Sequence, residues 1–219
     1  GADDEFSISP YLDYAEFHSE GDEENNVKFF QHGRFFGVSL GVGLEGADRN
    51  RGVLWQGGFP MFDFKLHYWF DFNVALAIGV FAGAHYYDTS QYDGGKNGGH
   101  IDVNLVRLGA NLKYYIETRN LASAISFASP YVSVGAGAYS KTQNSFLQGF
   151  AADQDTGLGI SFGGGLEFAL KPRKTYLVVE SHYHLVKFKD TYTSNFQPAG
   201  IPNLEGGLFT VSGNILFTW

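Results

Sequence analysis

The chain has 219 residues, of which 44% are hydrophobic, 17% aromatic and 17% charged, a length and composition that suit one ordered domain and exclude a disordered chain. It has no Cys, which excludes disulfide scaffolds, Cys-based zinc sites, iron–sulfur clusters and thiol catalysis. The net charge of −8 is held at one end: residues 1–26 carry nine acids and no Lys or Arg, leaving 14 acids against 15 bases elsewhere.

Residues 1–34 therefore read as an acidic arm. Phe6, Ile8, Leu12 and Tyr14 alternate with polar residues, so 6–14 has strand periodicity. Residues 19–26, SEGDEENN, read as a solvated linker. The start at Gly1, with no basic or apolar leader, predicts a mature chain whose signal peptide is gone. No basic stripe supports nucleic-acid binding. The longest apolar stretch, Val74 to Ala84, is eleven residues. A spanning helix needs about 20.

From residue 35 onward the period is two. Strand 1 (about 35–45) sets Phe36, Val38, Leu40, Val42 and Leu44 against Gly37, Ser39, Gly41, Gly43 and Glu45. Strand 2 is the clearest: Phe62, Phe64, Leu66, Tyr68, Phe70 and Phe72 oppose Asp63, Lys65, His67, Trp69 and Asp71. Strand 3 (74–87) and strand 4 (104–116) follow, the latter opposing Leu108 and Leu112 to Arg107, Asn111 and Lys113. Strand 5 (130–140) and strand 6 (157–170) alternate Val, Ile, Phe and Leu, including Phe162 and Phe168, with Gly, Ser and Glu167. Strand 7 (175–188) opposes Leu177, Val179, Tyr183 and Leu185 to Glu180, His182 and His184, although Tyr176 and Val178 fall on its polar face. Strand 8 (208–219) carries Phe209, Val211, Ile215, Phe217 and Trp219, with Gly213 interrupting the apolar face.

Eight segments of about 10–14 residues fit tilted membrane strands, whereas soluble strands are nearer five or six. The connections support this. Links 1–2, 3–4, 5–6 and 7–8 are long and polar, and links 2–3 and 6–7 are short. Membrane barrels have long outer loops and short periplasmic turns. The link from Glu117 to Ser129 is the exception, and its NLASAIS stretch has helix-tolerant composition.

This pattern, closing on an alternating strand that ends at Trp219, resembles the small eight-stranded bacterial outer-membrane barrels of the OmpA membrane-domain, OmpX and OmpW kind. The resemblance covers about residues 35–219, is architectural, and rests on no motif that selects one member. It implies an all-β, antiparallel up-and-down transmembrane barrel in the bacterial outer membrane. A soluble lipocalin-like barrel would have to bury the apolar face and expose Gly and Tyr.

On this reading Phe62, Phe64, Leu66, Leu112, Phe162, Phe168, Phe217 and Trp219 face lipid. The lumen carries Glu45, Asp63, Lys65, His67, His85, Arg107, Lys113, Glu167, Glu180, His182 and His184. Buried charges must pair, so the bland reading is an ionic plug that rigidifies the barrel. The sharper one is a proton-sensitive path through the four His, whose ordinary pKa is near 6.5. Glu180, His182 and His184 share one face at spacing two and are a metal candidate; no cofactor is expected. For lipid enzymology, adjacent Ser181 and His182 point to opposite faces, and no other Ser–His pair on one face is evident. The function expected is a non-enzymatic membrane anchor or interaction module. The alternatives are a narrow conduit for small or hydrophobic solutes and, third, a lipid-modifying enzyme. Expected partners are outer-membrane lipids and an envelope protein, met through the arm or through loop residues Trp55, Tyr92, Phe146, Leu147, Phe150 and Phe196.

Overall fold

The computed structural model describes residues 24–25, 27–88, 100–118, 127–145, 153–190, 197 and 200–219. Eight long strands form the body: β1 (Phe36–Ala47), β2 (Met61–Trp69), β3 (Val74–Asp88), β4 (His100–Tyr115), β5 (Ala128–Ser145), β6 (Asp153–Lys171), β7 (Thr175–Val186) and β8 (Leu208–Thr218). Each pairs antiparallel with its neighbours in the chain, and β8 pairs with β1, so the sheet closes. Closure leaves no sheet edge, which is what a strand structure needs to span lipid. No helix among the described residues is long and apolar enough to cross a membrane.

Register follows from the alternation, because a slip of one residue would turn every side chain to the other face. Phe62, Phe64, Leu66, Leu112, Phe162, Phe217 and Trp219 are exposed on the outer wall. Phe168 is half-buried there and stacks on Phe127. The two short turns define one end of the barrel. In the first, Asp71 Oδ1 accepts from the backbone N–H groups of Asn73 and Val74, both at 2.7 Å. In the second, Arg173 adopts a left-handed φ of 62°. The opposite end carries the long loops.

Several boundaries differ from the sequence reading. β2 ends at Trp69, so Phe70 and Phe72 belong to the turn. β5 runs on to Ser145 and β6 begins at Asp153, through polar segments with no apolar alternation. Their backbone ladder continues from Ser140↔Thr156 to Gln143↔Asp153. Periodicity reports which face meets lipid and falls silent where the pairing outruns the apolar band. The first loop, read from the sequence only as long and polar, holds a short helix, α1 (Arg49–Leu54), and a two-residue bridge, Gln56–Gly57, that pairs with β3. Six residues interrupted by Gly52 carry no helical repeat to detect. Strand periodicity at 6–14 and the NLASAIS stretch lie outside the described residues.

Candidate functional site

The barrel interior is built in three layers. At the turn end, Trp69, Ala75, Tyr115, Tyr131, Val178 and Leu216 form an apolar layer that also takes Phe29. Phe29 belongs to the helical residues 27–32 that precede β1. Val178 and Tyr176, which spoil the alternation of β7, point into this layer. Arg34 enters from the same side. Its guanidinium lies 4.4 Å from the Trp69 ring centre and 4.6 Å from that of Tyr176.

The middle layer is polar. Glu45, Asp63, Lys65, His67, His85, Arg107, Lys113, Glu167, Glu180, His182 and His184 are all buried. The structure joins them in separate groups. Lys65 on β2 bridges Asp63 and Glu180, the latter three strands away on β7. Glu180 also accepts from Tyr131 Oη at 2.7 Å. Glu167 accepts from Lys113 at 2.9 Å, Tyr115 at 2.6 Å and Arg34 at 2.9 Å. Glu45 and His85 meet at 2.5 Å. Arg107 donates to the neutral Asn111 and Ser161 at 2.8 and 3.0 Å. Such pairing is what offsets the desolvation of buried ions.

Lumen glycines decide who meets whom. Ser133 and His182 stand on β5 and β7, each opposite Gly163 of the strand between them. With no side chain at Gly163, Ser133 Oγ and His182 Nε2 approach to 2.7 Å. Tyr131 and Glu180 meet across Gly165 in the same way, and Asn111 and Ser161 across Gly135. A Cβ at Gly135 would sit 1.8 Å from Asn111 Oδ1. These contacts between strands i and i+2 are missed by reading one strand at a time. The signal was the glycine on the lumen face of the intervening strand.

Two Ser–His pairs therefore exist where none was expected: Ser133–His182, and Ser39–His67 at 2.9 Å. Their members lie on different strands, which a single-strand search cannot join. All four residues are buried in the lumen. Glu180 is engaged by Lys65 and Tyr131, and among the described residues no carboxylate hydrogen-bonds to the His182 ring to orient it as a base.

The metal candidate is not assembled. No three potential ligands are gathered among the described residues. Glu180 is held by the Lys65 ammonium, which repels a cation, and His184 is engaged by Tyr139 at 2.9 Å and Thr210 at 3.1 Å.

At the long-loop end lies a second apolar layer that includes Leu54, Trp55, Met61, Phe81, Tyr139, Phe188 and Leu204. Trp55, expected as an exposed loop contact, is buried, with its ring centre 4.9 Å from that of His85. Burial of a large aromatic surface over the lumen explains the correction. Above it Asp190 takes a bidentate pair from Arg51 at 2.7 and 3.2 Å, and Lys141 at 2.6 Å. Burial would raise the Asp190 carboxyl, but the hydrogen bond and charge of Arg51, with Lys141, bring it below its ordinary pKa. Tyr92, Phe146, Leu147, Phe150 and Phe196 lie outside the described residues.

Comparison with known proteins agrees with this architecture. The model of the outer membrane protein beta-barrel domain family matches residues 26–199. None of the curated proteins matches the chain. Among solved structures, Neisserial surface protein A is 14% identical with a TM-score of 0.60, over 84% of this chain and 97% of that one. A major outer membrane protein from Thermus thermophilus is 14% identical with a TM-score of 0.49, over 84% and 98%. OprG from Pseudomonas aeruginosa is 11% identical with a TM-score of 0.49, over 85% and 97%. At such identity the first likeness concerns the fold alone. With a closed eight-stranded barrel, an apolar outer wall and a family match over most of its length, the chain belongs to the outer membrane protein beta-barrel domain family and resides in the bacterial outer membrane.

Proposed function

We propose that this barrel is a non-enzymatic anchor that presents interaction surfaces at the two membrane faces and keeps its lumen shut. One observation carries the reading: side chains bridge the lumen from wall to wall, as Lys65 of β2 does to Glu180 of β7, between apolar layers at both ends. Opening a water path would separate buried ion pairs, at several kcal/mol for each charge left unpaired. The buried Ser–His pairs offer no access to a lipid substrate. The surfaces left for partners are the acidic arm, with nine acids in residues 1–26, and the long loops. An envelope protein with a basic face suits the arm.

The test is single-channel recording of the purified chain in a planar bilayer between about pH 5 and 8, the range in which histidines ordinarily titrate. Silence throughout is expected. Discrete conductance steps would replace this reading with the conduit. Cross-linking in whole cells then identifies what the arm and loops touch.

A further inference from the structure

An open groove of about 1100 Å³ runs along the outer wall at the long-loop end. Its shape follows from strand pairing. Ala138 of β5 lies between Leu108 of β4 and Leu158 of β6, and Ala136 lies between Ala110 and Ile160. The two methyl groups make a trough, with Leu158 as a ridge that is 82% exposed. Leu185 of β7, paired with Ile160, extends the apolar wall.

The chemistry changes sign at the top of this wall. Beyond Leu185 the same outward parity brings Lys187 and Lys189, both exposed, and Arg49 faces the groove from the segment after β1. None of the three cations makes a salt bridge within the described residues. Of the carboxylates lining the groove, Asp190 is already bound by Arg51 and Lys141, which leaves Glu205 against three cations. An apolar trough in the membrane that ends at fixed positive charges matches one kind of molecule: an acylated lipid with an anionic headgroup. Long loops lie on the outer side of such barrels.

We propose that the groove binds a phosphorylated, acylated lipid of the outer leaflet, with an acyl chain along Ala136, Ala138 and Leu158 and a phosphate at Lys187 and Lys189. The site lies outside the lumen and does not depend on whether the lumen conducts.

The full chain in nanodiscs of zwitterionic phospholipid provides the test, by native mass spectrometry and titration with a bisphosphorylated, acylated glucosamine disaccharide. Retention of this lipid is expected, with at least tenfold weaker binding of its dephosphorylated form. Lys187→Glu/Lys189→Glu should weaken binding at least tenfold, and Ala138→Phe, which fills the trough without altering charge, should weaken it too. Lys171→Glu/Lys174→Glu, the same charge change at the turn end, should leave it unchanged. Equal affinity for the dephosphorylated lipid, equal affinity of the groove variants, or an equal loss in the turn-end variant would each overturn the proposal. If the charge-reversed groove variant does not fold, the phosphate comparison on the unaltered chain and the Ala138→Phe variant decide the matter.

Discussion

Arg34 and Glu167 are 133 residues apart in the chain, and Arg34 Nη1 donates to Glu167 Oε2 at 2.9 Å. Arg34 precedes the first strand and reaches into the turn end of the barrel. Glu167 is also the acceptor for Lys113 and Tyr115, so one buried carboxylate balances two cations, one from the segment before β1 and one from β4. Glu167→Ala should therefore destabilise the barrel by about 3–5 kcal/mol, the cost of leaving a buried charge unpaired. Arg34→Ala should cost less, because Lys113 still neutralises the carboxylate. Urea unfolding in lipid vesicles measures both, and the double mutant should show coupling of about 0.5–3 kcal/mol. Strict additivity would mean that the contact carries no energy.

Adjacent residues on β4 give a second contrast. Leu112 is exposed on the outer wall, and Leu112→Arg should cost about 2–4 kcal/mol near the bilayer midplane. Asn111 points inward, and from alternation alone a change to Ser there looks mild. Its side chain, however, accepts from Arg107 at 2.8 Å and Ser161 at 3.0 Å. Asn111→Ser shortens that acceptor and leaves Arg107 short of a partner, at about 1–3 kcal/mol. The same unfolding assay ranks the two, and a neutral Asn111→Ser would argue that water substitutes for the lost contact.

What the sequence made legible was the part governed by period two. Each strand's lipid-facing and lumen-facing sets could be read because a barrel wall has one solvent on each side. The partners of the lumen residues could not, since Lys65 and Glu180 are 115 residues apart and their meeting depends on closure. Trp55 was misplaced for a related reason. Loop aromatics look exposed until the lumen mouth that receives them is known. Polar strand extensions such as Thr142 and Gln143 were invisible because only backbone bonds define them.

Gly163 offers a test of the glycine gaps. In an ordinary strand Gly→Ala gains about 0.5–1 kcal/mol by limiting the unfolded chain. Here a Cβ would stand 2.1 Å from the Ser181 carbonyl oxygen and 2.8 Å from the His182 ring. The sign should reverse, with Gly163→Ala destabilising by about 1–3 kcal/mol through overpacking. Thermal unfolding followed by circular dichroism, together with the unboiled-gel mobility shift, reads the result. A stabilised variant would show that the wall relaxes and that Ser133 and His182 do not need the gap.

The loop-end closure should respond to acid through Asp190. Its carboxyl sits below the ordinary value despite burial, because Arg51 and Lys141 hold its charged form. A carboxylate with a depressed folded-state pKa adds stability that is fully present above its unfolded value, about 3.9, and is lost as pH falls through the folded one. The closure should therefore be unaffected from pH 7 to 5 and loosen progressively below about pH 4. Asp190→Asn should remove that dependence and loosen the closure already at pH 7, since Arg51 is buried and would lose its bidentate partner. Hydrogen exchange of the backbone N–H groups of Arg51 and Trp55, followed from pH 7 to 3 after correction for intrinsic rates, checks both halves. Protection that rises as the pH falls through 4 would reverse the sign and rule out Asp190 as the group that holds the closure.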